Sequence, residues 1–263
     1  MRSGFFRRAL VAAVATAGTL SASGPAQPGA APLAGGPSIT VFAASDLGPP
    51  FKQIVPAFER ETATKVTVVL GSTGMLAQQI RNGAPADVFF AANEAFIAQL
   101  SSESLTIDAT RRVYARGRIA TVTARRAGAR IDGLEDLAQP RVRRIAIANP
   151  AHAPYGLAAR QALEAAGLWK AVQPKLVYGE NVQQAMQFVR SGSADAGIVA
   201  RSVADAPDVI WALVDEQLHA PLDQVCAVLA RTRQPAASTT FIQFVGGTQG
   251  RGVMRGFGFE LPD

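Results

Sequence analysis

From Ser38 onward, short apolar runs of strand length alternate with segments whose apolar residues recur at helical spacing, and few folds accept that alternation. Residues 38–44 read as a buried strand, and 51–60 as a helix with Ile54, Val55 and Phe58 on one side. Residues 65–70 form a second strand, 75–82 a helix stopped by Gly83-Ala84-Pro85, 88–91 a third strand, and 95–100 a helix. Strand, helix, strand, helix, strand in that order predicts a parallel sheet covered on both faces, with ligands collecting at the carboxyl ends of the strands. An extended stretch over 113–123 is then long enough to pass from one lobe to another. A second series follows, with strands at 144–148, 175–178 and 196–200 and helices at 155–166 and 182–190. Residues 225–230 read as a returning strand, and 239–244 start a terminal helix. The expectation is an α/β chain of two lobes with a ligand cleft between them. One lobe takes 38–115 plus 222–263, and the other takes 116–221.

Residues 1–37 stand apart as a signal peptide and flexible N-terminal segment. Arg2, Arg7 and Arg8 precede an apolar run from Ala9 to Leu20, followed by Ser21-Ala22-Ser23-Gly24 and a stretch rich in Pro, Ala and Gly. That is the charged, apolar, small-residue order of a secretory signal. The apolar run is about a dozen residues, short of the roughly 20 that span a bilayer as a helix. Export to the periplasm is the expectation.

The formal charge of +6 suggests nucleic acid until its source is examined. Removing the three arginines of the leader from the 26 basic residues leaves 23 against 20 acids, a net +3, which is an ordinary surface. No nucleic-acid partner is expected. The single cysteine, Cys226, excludes a disulfide framework, and two distant histidines, His152 and His219, argue against a His-centred metal site.

Four loop-to-helix junctions share one chemistry. The first turn of a helix presents unpaired N–H groups and a partial positive charge, so a cleft ringed by several such turns attracts a small anion. The junctions are Ala43-Ala44-Ser45-Asp46, Gly71-Ser72-Thr73-Gly74, the loop Asn149-Pro150-Ala151-His152-Ala153-Pro154-Tyr155-Gly156, and Glu180-Asn181-Val182. Ser45 or Asp46 is placed to cap the helix entered at Pro49-Pro50, and Asn181 to cap the last while leaving the Val182 N–H at the helix mouth. One such junction alone is ordinary capping. Four together, without an Arg or Lys in any, imply recognition of an anion by neutral donors instead of a charged clamp.

The residues of these junctions also resemble a known family. Phe42-Ala-Ala-Ser45, Gly71-Ser-Thr-Gly74 ahead of Leu76-Ala-Gln-Gln-Ile80, and Asn82-Gly-Ala-Pro-Ala-Asp-Val-Phe-Phe-Ala-Ala92 are similar to the periplasmic molybdate-binding proteins of molybdate ABC transporters. Ala148-Asn-Pro-Ala-His-Ala-Pro-Tyr-Gly-Leu157, Glu180-Asn-Val182, Ala194-Asp-Ala-Gly-Ile-Val199 and Gly256-Phe-Gly-Phe259 extend the likeness over nearly all of 38–263. The resemblance implies a type II periplasmic-binding-protein fold that closes on molybdate, and on tungstate, and delivers it to a membrane permease. It implies no enzyme activity and no cofactor; the chain is expected to be a monomer. Carried over by motif, the ligand set is Ala44, Ser45, Ser72, Thr73, Tyr155 and Val182, with no direct protein ligand to the metal atom. Some relatives place a tyrosine where this chain has Ala200, which leaves the Tyr155 side chain as a candidate contact. Asp46 departs from the pattern, because an acid beside Ser45 must face away from the anion or cap its helix. Asp87 and Asn93 are expected to fix loops, and His152 to be a loop hydrogen-bonder.

Two other functions remain open on the residues. One is a binder of another tetrahedral oxyanion, such as sulfate. The other is an exported serine hydrolase using Ser45 or Ser72 with His152, which needs a base held near the serine and an acid orienting that base.

Overall fold

The computed structural model describes residues 36–127 and 130–262. The expected leader lies outside these residues, save Gly36 and Pro37. In chain order the strands are β1 (Ser38–Ala44), β2 (Lys65–Gly71), β3 (Val88–Ala91), β4 (Arg112–Gly117), β5 (Ile119–Ala124), β6 (Ile145–Ala148), β7 (Leu176–Gly179), β8 (Ala196–Ala200), β9 (Val209–Leu213) and β10 (Leu222–Val228). The helices are α1 (Gly48–Thr62), α2 (Thr73–Arg81), α3 (Glu94–Ser102), α4 (Pro154–Ala165), α5 (Trp169–Val172), α6 (Val182–Ser191), α7 (Arg201–Ala204), α8 (Pro235–Gly246) and α9 (Thr248–Gly256).

These strands build two five-stranded sheets, in the orders β2-β1-β3-β10-β4 and β7-β6-β8-β5-β9. In each sheet one strand has parallel neighbours on both sides. β1 pairs in parallel with β2 and β3, and β6 pairs in parallel with β7 and β8. The all-parallel expectation is corrected on the other side of each sheet, where β10 runs antiparallel to β3 and β4, and β5 antiparallel to β8 and β9. The reason is connectivity. β4 and β5 are joined through Arg118 alone and enter different sheets, so no crossover helix intervenes to restore a parallel sense. β4 stays in the first sheet to Gly117, a little past the Ala115 boundary expected from sequence. β9 was not expected at all; it is a half-buried edge strand whose Val-Ile-Trp-Ala-Leu run lacks a clean alternation.

Burial follows the two periodicities. Phe89 and Phe90 are adjacent on β3 and point to opposite faces, so each joins a different apolar cluster of the first lobe. On one face Phe90 meets Phe51 of α1 and Phe241 of α8 edge to face, at ring separations of 5.3 and 5.7 Å. Phe58, two turns along the same face of α1 from Phe51, closes the group against Phe241 at 5.0 Å. The second lobe buries Ile119, Val122, Ile145, Ile147 and Ile198 against α4 and α6. Among the described residues no helix is long and apolar enough to cross a membrane.

Phe241 is wholly buried within that ring cluster, so Phe241→Ala is expected to cost about 3–5 kcal/mol, whereas Leu157→Ala, on an exposed position, should stay within about 0.5 kcal/mol. Urea unfolding midpoints at constant slope check both.

Candidate functional site

The parallel strands aim their carboxyl ends at one place. β1 and β2 run out into Ser45 and Ser72, and β6 and β7 run out into the 149–153 loop and Asn181. Each exit leads to a helix start, after a five-residue loop in the case of β6, because the strand ends in a small residue and the next turn begins with Ser, Thr, Pro or Asn. Ala44, Ser45, Ser72, Thr73, Tyr155 and Val182, the whole set expected from sequence, line a single cavity and are buried. Asp46, Ala92, Ala153 and Asn181 complete much of the wall. The cavity is small, about 10 Å³. Pockets for organic ligands of drug size run to about 300–1,000 Å³, so this one suits a very small solute.

The donors are neutral. Thr73 and Val182 open α2 and α6, Tyr155 lies in the first turn of α4, and Ser45 opens a short 3-10 turn ahead of α1. Backbone N–H groups at such positions have no acceptor within their own helix. Asn181 caps α6 by accepting from the N–H of Gln183 (3.0 Å) and Gln184 (3.1 Å), which leaves that of Val182 uncapped. Thr73 Oγ1 accepts from the Ala92 N–H at 3.1 Å, so the Thr73 hydroxyl keeps its proton to donate elsewhere. No lysine or arginine among the described residues lines the cavity.

Hydrogen bonds between the lobes surround the cavity. His152 joins Ser72 Oγ through Nδ1 at 2.8 Å, and its carbonyl accepts from the Gly74 N–H at 2.9 Å. A Cβ at position 74 would stand 2.8 Å from that carbonyl oxygen, so only glycine allows the approach. Gln183 Nε2 donates to the Ser45 carbonyl at 2.7 Å, and Ser202 Oγ to the Asp46 carbonyl at 2.8 Å. These contacts define a closed arrangement of the two lobes.

Ser45 does not cap the helix entered at Pro49-Pro50, contrary to expectation, and neither does Asp46. It lies inside the short 3-10 turn, where the carboxylate reaches across the cleft instead. Its Oδ2 accepts from Tyr155 Oη at 2.9 Å and from Gln224 Nε2 at 2.7 Å, while Gln224 Oε1 accepts from Tyr114 Oη at 2.6 Å. The Tyr155 hydroxyl is thereby committed to Asp46 and Gln224. Burial pushes the Asp46 carboxyl up to about 6, with the Gln224 and Tyr155 hydrogen bonds pulling the other way. Burial, and then the Asp46 charge, holds the Tyr155 phenol well above its ordinary value. Because the folded chain holds the Asp46 proton more tightly than the unfolded chain, this group's stabilising contribution is full below about pH 4 and lost as pH rises through about 6. Gln224 had no place in the sequence-derived site. Its signal was a lone amide in the otherwise apolar run Val225-Cys226-Ala227-Val228 and its approach, where a buried polar side chain needs a partner.

Residues outside the site behave as loop fixers. Asp87 accepts from the Thr40 N–H at 2.7 Å, and Asn93 caps α3 through the Ala95 N–H at 2.8 Å. Ala200 is buried and does not line the cavity. His152 does stand beside a serine, as a hydrolase would need, but no carboxylate among the described residues hydrogen-bonds to its ring. Nor is any group of three His, Cys, Asp or Glu among them placed to hold a metal ion.

Comparison with known proteins finds related chains. Residues 39–260 match the model of a family described as bacterial extracellular solute-binding protein. The molybdate-binding protein ModA of Azotobacter vinelandii is 33% identical over 228 residues, covering 85% of this chain and 90% of that protein. ModA of Escherichia coli (strain K12) is 30% identical over 230 residues, covering 85% and 89%. The solved periplasmic molybdate-binding protein of Azotobacter vinelandii superposes with a TM-score of 0.80 at 29% identity, covering 86% of this chain and all of that one.

Thr73→Val removes both the hydroxyl donor and the acceptor of the buried Ala92 N–H, and is expected to destabilise the unliganded protein by about 1–3 kcal/mol. Thr73→Ser, which keeps both roles, should cost well under half as much in the same urea unfolding measurement.

Proposed function

We propose, from the premise that this chain belongs to the bacterial extracellular solute-binding family together with the ModA proteins, that it captures molybdate or tungstate outside the cytoplasm and hands it to the permease of an ABC transporter. The observation that carries the reading is the cavity wall: helix starts from both lobes converge on a space suited to one small solute, with no basic side chain among them. Such a wall favours a compact anion, because partial charges from several N–H groups and hydroxyls oppose its negative charge from all sides.

The role of each residue follows from its place. Ser45 and Thr73 supply a hydroxyl and a backbone N–H each from the first lobe, with Ser72 and Ala44 beside them. Tyr155 and Val182 supply backbone N–H groups from the second. The anion is cargo, and it is captured without being transformed. The Ser72 and His152 pair lacks the third group that would orient the imidazole as a base, so it serves as a clasp between lobes. Release follows from the same geometry. Opening the lobes separates the two sets of donors, and neither set alone surrounds the anion.

Discrimination rests on size. Molybdate and tungstate share charge and shape with sulfate, and donors held at the spacing of the larger anions reach the smaller one poorly. Thermal unfolding with each anion in turn tests this: a one-site ligand at 100 times its Kd adds about 2.7 kcal/mol. Large upward shifts are expected with molybdate and tungstate and small ones with sulfate and phosphate. Equal shifts with all four would remove size selection, and a shift with sulfate alone would reassign the cargo.

A further inference from the structure

Among the described residues of the cavity wall, Asp46 is the single carboxyl group, and it is fully buried. Its two oxygens are not equivalent. Oδ2 receives both side-chain hydrogen bonds, from Tyr155 and Gln224, whereas Oδ1 is buried without a hydrogen-bond partner. The groups facing Asp46 are neutral: the phenols of Tyr155 on α4 and, through Gln224 of β10, Tyr114 on β4, with Ser202 of α7 at its carbonyl. Cations on the surrounding elements are engaged elsewhere or exposed. Arg116 pairs with Asp223, Arg160 with Glu164, Arg190 with Asp208, and Arg201 with Asp205 and the Trp211 ring, while Arg112 and Lys52 face solvent. His152, the histidine near the cavity, bonds to Ser72.

We propose that Asp46 takes up one proton when the lobes close on an oxyanion, so that capture is coupled to protonation and weakens as pH rises. This inference rests on the oxyanion reading above. A dianion and an ionised carboxylate in one dry wall repel each other with little screening and no intervening cation. Protonating Asp46 removes that repulsion. The proton comes from solvent and forms an O–H bond at Oδ1, since both donors already point at Oδ2; no other bond changes, and the side-chain charge goes from −1 to 0. The protonated Oδ1 then becomes a donor, which is what an anion site needs and what a carboxylate cannot supply. Burial has already raised this carboxyl to about 6 before any anion is considered, so the further rise on binding spans neutral pH. By linkage, a site that gains one proton on binding loses affinity toward tenfold per pH unit as pH rises between its free and bound values.

Calorimetric titration of the protein with molybdate, at about pH 7 and about pH 8 and in buffers of differing ionisation enthalpy, counts the protons exchanged. The wild type should take up close to one proton per anion, with Kd rising toward tenfold between the two pH values. Asp46→Asn, a neutral near-isostere that offers a carbonyl to Tyr155 and Gln224, should take up none and show a flat Kd. His219→Asn, at the histidine outside the cavity wall, should retain the uptake. Zero uptake by the wild type overturns the proposal, as does uptake that persists in Asp46→Asn or vanishes in His219→Asn. Absence of binding heat with molybdate, tungstate, sulfate and phosphate alike would overturn the oxyanion reading itself, and this inference with it.

Discussion

A doubly charged anion taken out of water loses its hydration from every direction at once, and a site without cations can offset that loss only with dipoles that arrive from every direction. Much of this fold serves that requirement. A single helix start supplies N–H groups over a narrow cone, so several are needed, and one sheet cannot aim them inward from opposite sides. Two sheets facing each other across a cleft can. The strands β1 and β6, each flanked by parallel neighbours, bring the helix starts after β1, β2, β6 and β7 to one small space.

Dependence on both lobes also explains why recognition and release are compatible. A bidentate arginine would hold an anion from one side and keep holding it after opening. Here the lobes are joined around the cavity by a few hydrogen bonds, among them Ser72 with His152 and Gln183 with the Ser45 carbonyl. Each such bond is worth on the order of 1 kcal/mol net, so closure is supported without being locked. The same burial falls on Asp46, the one carboxyl group among the described residues of the wall, and pushes it up to about 6. Tyr155, Gln224 and Tyr114 form a chain of hydrogen bonds that satisfies one of its oxygens and no more.

Much of this was legible in the sequence, for identifiable reasons. Apolar period reads the face of an element, so β1, β3 and β8 and the cores of α1, α4 and α6 could be placed from residue order alone. Capping chemistry is local as well, which is why Asn181 could be read as the cap of α6. Strand direction is not local: β10 pairs with β3 across more than a hundred residues, and nothing in Leu222–Val228 states that it returns antiparallel. The same limit hid the wiring of the site. Ser72 and His152 are separated by 80 positions and Asp46 and Gln224 by 178, so the clasp appears only when the lobes meet, and the Asp46–Gln224 bond only when β10 returns to the first sheet. Asp46 misled for a further reason, since an acid ahead of a helix ordinarily caps it, and here the packing of Tyr155 and Gln224 overrides that local preference.

The central claim is that neutral backbone donors from both lobes hold one anion. Amide proton and nitrogen NMR spectra, recorded as molybdate is added to the isotope-labelled protein, test it most directly. The account predicts that the backbone resonances of Ser45, Thr73, Tyr155 and Val182 move together and saturate at one anion per chain. Shifts confined to one lobe, or centred on the surface arginines while those four resonances stay still, would contradict it.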